Sequence, residues 1–505
     1  MKMPGKKPQH LPLMEYAAYA AVGLAVFTLP ITGLPALASL IGEPLVAPPS
    51  AVFVLLLLVG WLPVYLLRKG TLPGEMKPWL AFGGVVLFSS ALAFFLPMPS
   101  FKNHTVLPSE IDALVTFGIA AAFYLVFSTW IRRPKHLEWV LRWINLGGMV
   151  LLAWCLVQLY FVLLKNGSYT GFMLDLQSFV SVRSLEDHIY YNRLAGFSYE
   201  PSWLAHQLNT VYLPFWLAAT LTGYSVQRKL WKISIENVLL AAGIAVLLFT
   251  YSRVGLLAFL LVLAYGAYRL NKSGIRWLQK RLKLRSGAIR TWVNGLTLVL
   301  VFSLYAALAF GLLTLVGRSD PRIAKLLEFR NFSSDLMDMA FQTDLAERVI
   351  YWANGWLVFA RFPLFGVGLG NAGFFFSGHL HLLGYRSGEI LQVLNDATYL
   401  PNIKSLWLRI LAETGLAGFS CFLVGYYVLW RAGQNLTRHL LLPLRVIGWM
   451  GIFVLISFLA EGFSIDSFAL PYLWLSLGLL TSASRMARRT ASGQDGQPHQ
   501  ENLHV

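Results

Sequence analysis

Long apolar runs separated by short polar loops cover most of the chain. A helix rises 1.5 Å per residue, so about 20 apolar residues cross the roughly 30 Å hydrocarbon layer of a membrane. A strand in lipid would leave its backbone groups unpaired, so we predict that each run is a transmembrane helix. The runs are residues 11–30, 51–67, 78–97, 110–131, 138–164, 203–223, 235–251, 254–270, 293–317, 405–430, 442–460 and 467–483. The pattern predicts an all-α polytopic integral membrane protein with about twelve spans and one large loop of short helices.

Composition supports this class. Hydrophobic residues make up 56% of the chain and charged residues only 13%, whereas a soluble domain has about 25% charged residues. The two cysteines, Cys155 and Cys421, lie inside apolar runs. We therefore expect neither a disulfide framework nor a thiolate metal site.

The basic residues explain the net charge of +17 and set the orientation. They concentrate in every second loop, as positive-inside topology requires. These loops are residues 2–7, 68–77, 132–135, 228–232, 269–290, 431–438 and 485–489. Both termini are then cytoplasmic. The charge reflects topology and attraction to anionic lipid headgroups, and no nucleic-acid partner is expected.

This topology divides the chain into four parts. Residues 1–317 hold spans one to nine with short loops, among them an outer loop at 165–202. Residues 318–404 form a large outer loop, and residues 405–483 hold spans ten to twelve. We predict that residues 484–505 are a disordered cytoplasmic tail, because they are polar and terminal.

Four cations lie near the outer ends of spans, where cations are normally sparse: Arg193, Arg253, Arg348 and Lys404. Each has an ordinary explanation. Arg253 could cap a tight hairpin at 250–253 or reach lipid headgroups, and Arg348 could belong to a charged helix start. Four such cations at one depth exceed what these explanations predict, and they suggest a bound anion.

Arg193 also has acidic neighbours at Glu186 and Asp187, with which it could pair on a solvated loop. Arg409 and Glu413 stand four residues apart, so we expect a structural ion pair on a helix.

Two other motifs lack the context that their chemistry needs. Residues 368–373 spell GxGxxG but follow no strand, so a tight turn is favoured over a dinucleotide site. His379 and His381 lack a third ligand at usable spacing, so no metal site is expected.

Sequence fragments between about residues 190 and 420 resemble the bacterial O-antigen ligase and O-antigen polymerase superfamily. In a ligase, a His-[Asn/Ser/Gln]-x9-Gly-x-x-Gly pattern begins one helix, and Lys404 stands here at the His position. The fragments are R-x-x-G-F-x-x-E-P-S at 193–202, Tyr251-Ser252-Arg253, Arg348-x-x-x-Trp352, PLFGVG at 363–368, and Ser405 with Gly415 and Gly418.

The resemblance implies a metal-independent glycosyltransferase without a cofactor. It would move glycan from undecaprenyl pyrophosphate to a sugar hydroxyl at the periplasmic face of the bacterial inner membrane, so the outer loops would be periplasmic. Arg193 and Arg253 would clamp the pyrophosphate, with Arg348 as a weaker third cation, because guanidinium groups stabilise the charge of the leaving group. Tyr199 and Ser405 are further candidate substrate contacts. A chain-length regulator in the same membrane is a possible partner.

Lys404 and Glu200 are the candidate groups for the proton of the attacking hydroxyl. A lysine has an unperturbed pKa of about 10.4, so Lys404 is a base only if its environment lowers that pKa. Its simpler role is another cation on the pyrophosphate or on an acidic sugar. Glu200 is the alternative base, unless Glu200, Pro201 and Ser202 merely cap the helix that begins at Trp203. Aromatic residues could stack on pyranose rings or form an interfacial belt. They are Tyr190, Tyr191, Phe197, Tyr199, Trp203, Phe374, Phe375, Phe376, Tyr385 and Tyr399.

The missing ligase histidine favours a polymerase of O-antigen or exopolysaccharide repeat units. The first alternative is an O-antigen ligase that transfers glycan to the lipid A core of lipopolysaccharide. A transporter or flippase of lipid-linked glycans is the second. The middles of spans 78–97, 293–317 and 442–460 carry no charge, which disfavours ion-coupled transport.

Overall fold

The computed structural model describes most of the chain. The described residues are 13–40, 46–165, 168–185, 192–227, 233–281, 340–341, 345–380, 382–395 and 399–491, with single positions at 295, 303, 307, 310, 311, 314 and 317. Isolated bridges are the only β structure among them. The fold class predicted from the apolar runs is confirmed.

Seventeen α-helices carry labels here, numbered within the described residues. They are α1 (Leu13–Phe27), α2 (Pro35–Ala38), α3 (Pro49–Gly60), α4 (Leu62–Leu67), α5 (Lys77–Ala93), α6 (Val106–Trp130), α7 (Pro134–Leu164), α8 (Gly171–Val180), α9 (Pro201–Gln207), α10 (Leu213–Thr222), α11 (Ile235–Phe249), α12 (Arg253–Arg281), α13 (Ala346–Arg361), α14 (Gly388–Asn395), α15 (Leu406–Leu436), α16 (Leu442–Glu461) and α17 (Tyr472–Ala491). Short 3₁₀ segments occur at Gly74–Met76, Ala372–Phe375, Ser377–His379 and Leu382–Arg386. Proline stands at the start of α3, α7 and α9, where its missing N–H is not needed.

Six of the described helical segments are long and apolar enough to cross a membrane. They are Pro49–Leu67, Gly74–Ala93, Val106–Trp130, Pro134–Leu164, Leu406–Leu436 and Leu442–Glu461, and shorter apolar helices occur at Met14–Phe27 and Ile235–Phe249. The predicted span at 293–317 lies outside the described residues except for single positions. The protein is a multi-pass membrane protein, and the count of about twelve spans stays a prediction.

Helix α16 lies at the centre of the helix bundle. In its most apolar window 72% of residues are buried, against 39–56% for the other five candidate spans. It packs against α10, α12, α15 and α17. The C-terminal end of α16 is therefore a point where several helices meet.

The run predicted as a span at 203–223 is interrupted by a π-helical segment. Residues Leu208–Tyr212 form this segment between α9 and α10. Segments of this kind widen the helix by one residue per turn and often occur at functional sites. Here the π-segment packs against α16 and α17.

Helix α15 is broken at Gly415, and the loop after α13 fills the break. Gly415 has φ +64° and ψ −165°, a backbone conformation essentially restricted to glycine. Four hydrogen bonds join backbone groups on either side of the break to the 363–368 loop. None of the four belongs to a regular helix. The bonds run from Leu416 N to Pro363 O (2.8 Å), Ala417 N to Leu364 O (3.1 Å), Val367 N to Ala412 O (3.2 Å) and Gly368 N to Glu413 O (3.0 Å).

We call this arrangement of loop 363–368 and the broken helix the glycine interlock. It gives a structural role to the glycines of the 363–368 fragment and to Gly415. Gly366, Gly368 and Gly370 have φ between +70° and +85°, so the GxGxxG stretch is a turn, as predicted. Asn371 closes this turn by donating to Gly368 O at 3.3 Å.

Candidate active site

The segment 461–466, at the end of α16 and the start of its connection to α17, contacts the segment that carries Lys404. The carbonyl oxygen of Gly462 accepts a hydrogen bond from Leu406 N at 2.8 Å and another from Ser405 Oγ at 3.2 Å. Ile465 O accepts from the same Leu406 N at 2.7 Å. The start of α15 is therefore fixed to this connection.

The same connection contacts the start of α13. Arg348, in the first turn of that helix, donates from Nη1 to Ser464 O at 3.5 Å. One turn later, Trp352 Nε1 donates to the carbonyl oxygen of Lys404 at 3.3 Å. Two of the four predicted cations, Arg348 and Lys404, thus border one short connection.

Arg193 lies at the hairpin that begins α12. Its Nε donates to Thr250 O at 2.9 Å, and Leu194 N donates to Phe249 O at 3.0 Å. Arg253 is the first residue of α12, three positions after Thr250. The predicted tight hairpin is present, and it brings the segment of Arg193 to the segment of Arg253.

A buried polar link joins this hairpin to the α16–α17 connection. Asn209, in the π-segment, donates from Nδ2 to Gly255 O at 2.8 Å and to Glu461 Oε1 at 2.7 Å. Gly255 lies in the first turn of α12, two residues after Arg253. The segments of Arg348 and Lys404 therefore contact residues 461–466, and Asn209 links these residues to the start of α12, which carries Arg253. Arg193 contacts the hairpin that precedes α12.

Lys404 contacts an acidic residue and an aromatic ring. It has a left-handed backbone, with φ +54°, and its ammonium pairs with Glu389 and lies 4.5 Å from the ring centre of Tyr351. Tyr351 OH donates to Glu389 Oε1 at 3.3 Å. Burial raises the pKa of Tyr351 and the neighbouring Glu389 carboxylate raises it further, so the phenol stays protonated.

Glu200 is partly exposed and stands at the start of α9. Its side chain is 40% exposed and lies 3.8 Å from Arg183 Nη1, while Ser202 Oγ donates to Glu200 Oε2 at 3.0 Å. Glu200 is the N-cap residue of α9, but its carboxylate makes no capping hydrogen bond. The Arg183 guanidinium also lies 4.7 Å from the ring of Tyr199. The carboxylate thus remains open to solvent beside a cation.

Ser405, Arg409 and Glu413 make structural contacts. Ser405 is fully buried and caps α15 by accepting from Leu408 N at 3.4 Å. Arg409 Nε donates to Glu413 Oε2 at 2.9 Å, and both side chains are buried. The expected ion pair on the helix is present. The predicted substrate contact of Ser405 stays a prediction, and its polar group already serves the helix cap.

The suggestion that Phe374, Phe375 and Phe376 stack on sugar rings is wrong. Each is at most 2% exposed. The turn of the glycine interlock folds these rings inward, where Phe374 and Phe375 pack with Val358 and Ile403 and leave no face for a ligand. Tyr385 and Tyr399 are 52% and 59% exposed and remain available.

Three charged residues that contact candidate site residues or their neighbours did not stand out in the sequence. Glu389 contacts Lys404, Arg183 contacts Glu200, and Glu461 contacts Asn209. Of the three, only Glu461 gave a signal in the sequence: it is an acidic residue at the end of the apolar run 442–460. Acidic residues in such positions often have a function in membrane proteins. Glu186 and Asp187, the suggested partners of Arg193, lie outside the described residues.

The arrangement provides several cations and few metal ligands. Within the part of the chain that the structure describes, no group of three His, Cys, Asp or Glu residues could hold a metal ion. Guanidinium groups bind phosphate oxygens with two parallel hydrogen bonds, and an ammonium adds a point charge. The site is suited to a phosphate-bearing anion at the end of a helix bundle.

Part of the chain matches a known family. Residues 238–423 match the family model described as O-antigen ligase. The match includes Arg253, Arg348 and Lys404, while Arg193, Glu200 and Glu461 lie outside it. No curated protein matches the chain.

Proposed function

We propose that this protein, which carries an O-antigen ligase family domain at residues 238–423, is a polysaccharide polymerase of lipid-linked repeat units. It would move glycan from undecaprenyl pyrophosphate to a sugar hydroxyl of a second lipid-linked unit. We place it in the bacterial inner membrane with cytoplasmic termini and a periplasmic active face. The observation that carries the proposal is the set of contacts that joins the segments of Arg348, Lys404 and Arg253 at residues 461–466, with Arg193 on the adjoining hairpin.

In this reaction the acceptor hydroxyl attacks the anomeric carbon while the bond to the pyrophosphate oxygen breaks. Negative charge then grows on a leaving group that already carries two phosphates. Arg193 and Arg253 would hold these phosphates, with Arg348 as a further cation. The activated sugar–phosphate bond supplies the driving force, so neither ATP nor a redox cofactor is needed.

We assign the proton of the acceptor hydroxyl to Glu200 and a cationic role to Lys404. Lys404 faces Glu389 and Tyr351, contacts that suit an ammonium better than a proton acceptor. Glu200 has an exposed carboxylate beside Arg183. A base must lie within hydrogen-bonding reach of the proton that it removes, so the proposal requires the acceptor hydroxyl to bind next to this exposed carboxylate.

The test is polymerisation of purified lipid-linked repeat units by the purified enzyme. We expect Arg193→Ala, Arg253→Ala and Lys404→Ala each to lower the rate of chain formation by roughly a hundredfold, the scale of one lost electrostatic contact in a transition state. Arg269→Ala is the matched control. It removes a cation from the same helix as Arg253, 16 residues away at Tyr265 and Trp449. Normal chain formation by all three site variants would refute the proposal.

The alternative that the family description favours is an O-antigen ligase. It would use the same pyrophosphate site with lipid A core as acceptor. Adding purified core lipid to the assay separates the two activities: elongated lipid-linked chains indicate a polymerase, and glycan attached to core indicates a ligase. In a deletion strain, single-repeat material indicates loss of a polymerase, and uncapped core indicates loss of a ligase.

A further inference from the structure

Glu461 is a buried carboxylate that the proposed chemistry does not use. It ends α16, is 1% exposed, and lies beyond the residues matched by the family model. Its Oε1 accepts from Asn209, and its Oε2 lies 3.6 Å from His206 Nδ1. Burying a carboxylate in a membrane protein costs free energy, so such a residue usually has a functional role.

Asn209 and Glu461 together connect two halves of the site. The Asn209 amide group donates one hydrogen bond to the first turn of α12 and one to Glu461. On the other side of Glu461, Gly462 O fixes the cap of α15 and Ser464 O accepts from Arg348. The contact between Asn209 and Glu461 thus links the start of α12, which carries Arg253, to the segment next to Lys404 and Arg348.

The packing around Asn209 leaves little room for another arrangement. A Cβ added at Gly255 would lie 2.6 Å from Ala205 Cβ, so α12 and α9 are already in close contact. The π-segment turns Asn209 towards both acceptors within a buried environment, in which Asn209 is 1% exposed. The Asn209 hydrogen bonds therefore add a specific link to the packing of α12 against α16.

We infer that Glu461 is a positioning residue: by accepting the Asn209 hydrogen bond, it holds Arg253 at the correct distance from Lys404 and Arg348 to bind one pyrophosphate. This inference rests on the proposed function. Glu461 would not contact the substrate itself, because it is buried.

The chain contains a matched control for this link. Glu236 is likewise fully buried and accepts a hydrogen bond from an asparagine, Asn145, at 2.9 Å. It lies in the first turn of α11, at the opposite end of that helix from the hairpin of Arg253. A purely structural role predicts the same consequences for Glu461→Ala and Glu236→Ala. A positioning role predicts different ones.

The experiment measures the dissociation constant for undecaprenyl pyrophosphate with the full chain in lipid nanodiscs. We expect Glu461→Ala and Asn209→Ala each to weaken binding roughly tenfold, the scale of one hydrogen bond to a charged group. The double variant should be no weaker than either single one, because both changes break the same link. Glu461→Gln should stay within about threefold of the unchanged protein, since its amide oxygen still accepts from Asn209. Glu236→Ala should also stay within that range.

The outcomes separate this inference from the proposed function. If Arg253→Ala weakens binding but Glu461→Ala and Asn209→Ala do not, the inference is overturned and the proposed function stands. Equal effects of Glu461→Ala and Glu236→Ala, or no rescue by Glu461→Gln, would also overturn it. Unchanged binding by Arg253→Ala would instead refute the proposed site. If Glu461→Ala does not fold, Asn209→Ala tests the same link with the carboxylate in place.

Discussion

Replacing Gly415 with alanine tests the glycine interlock that holds α15 to the 363–368 loop. Gly415 has φ +64° and ψ −165°, a conformation that costs a residue with a Cβ about 1–3 kcal/mol. The added Cβ would also lie 2.3 Å from Leu364 O, a backbone atom of the inserted loop. The loop must then move, and its hydrogen bonds to α15 weaken.

The expected loss of stability is large for one methyl group. Overpacking in a tight region costs about 1–3 kcal/mol, and adding this to the backbone strain gives about 2–6 kcal/mol for Gly415→Ala. The free energy of unfolding is measured by SDS titration of the purified protein in mixed micelles. Because α15 carries the Lys404 segment at its start, the variant should also lose polymerisation activity.

Gly84→Ala is the matched control. Gly84 lies in α5, which packs against α15, and no atom lies within 4 Å of its added Cβ. Alanine is favoured over glycine in a helix by up to about 1 kcal/mol, so this variant should be as stable as the unchanged protein or slightly more stable. An unfolding free energy of Gly415→Ala equal to that of Gly84→Ala would refute the strain argument.

Three further predictions concern charged groups near the site. Lys404→His should turn over faster at pH 6 than at pH 8 if position 404 acts as a cation, because histidine is protonated only at the lower pH; an opposite pH profile would favour a base. Arg409→Ala and Glu413→Ala should each cost about 3–5 kcal/mol of unfolding free energy, since one buried charge loses its partner, while the double variant should cost less than the sum. Burial and Glu389 raise the pKa of Tyr351 in the folded protein above its value in the unfolded chain, which is about 10. The folded state therefore holds the phenol proton more tightly, and the free energy of unfolding falls as the pH rises above about 10. Tyr351→Phe should lessen that fall in SDS titrations between pH 9 and 11.

The apolar runs predicted the helices because membrane helices depend on local composition. The loops between them depend on contacts between distant residues, which no local pattern contains. Arg193 meets the hairpin at Thr250, 57 residues later, and Glu461 meets Asn209 across 252 residues. Neither contact follows from spacing along the chain.

The incorrect suggestion for the three phenylalanines has the same physical origin. Aromatic residues after a glycine-rich turn resemble an exposed loop, and Phe374 would then face solvent. The break at Gly415 instead receives the loop, and the rings pack into a small core beneath it. The break itself is not visible from sequence, because glycine also occurs in unbroken membrane helices.

The central claim is that separate cations converge on one pyrophosphate, and the most direct test compares two lipids that differ by one phosphate. The dissociation constants for undecaprenyl pyrophosphate and undecaprenyl phosphate are measured in nanodiscs for the unchanged protein, Arg193→Ala, Arg253→Ala and the control Arg269→Ala. We expect the unchanged protein and the control to prefer the diphosphate by roughly tenfold or more, as charge-assisted hydrogen bonds to a second phosphate require. The preference should disappear in both site variants. Equal affinity of the unchanged protein for the two lipids would contradict the account.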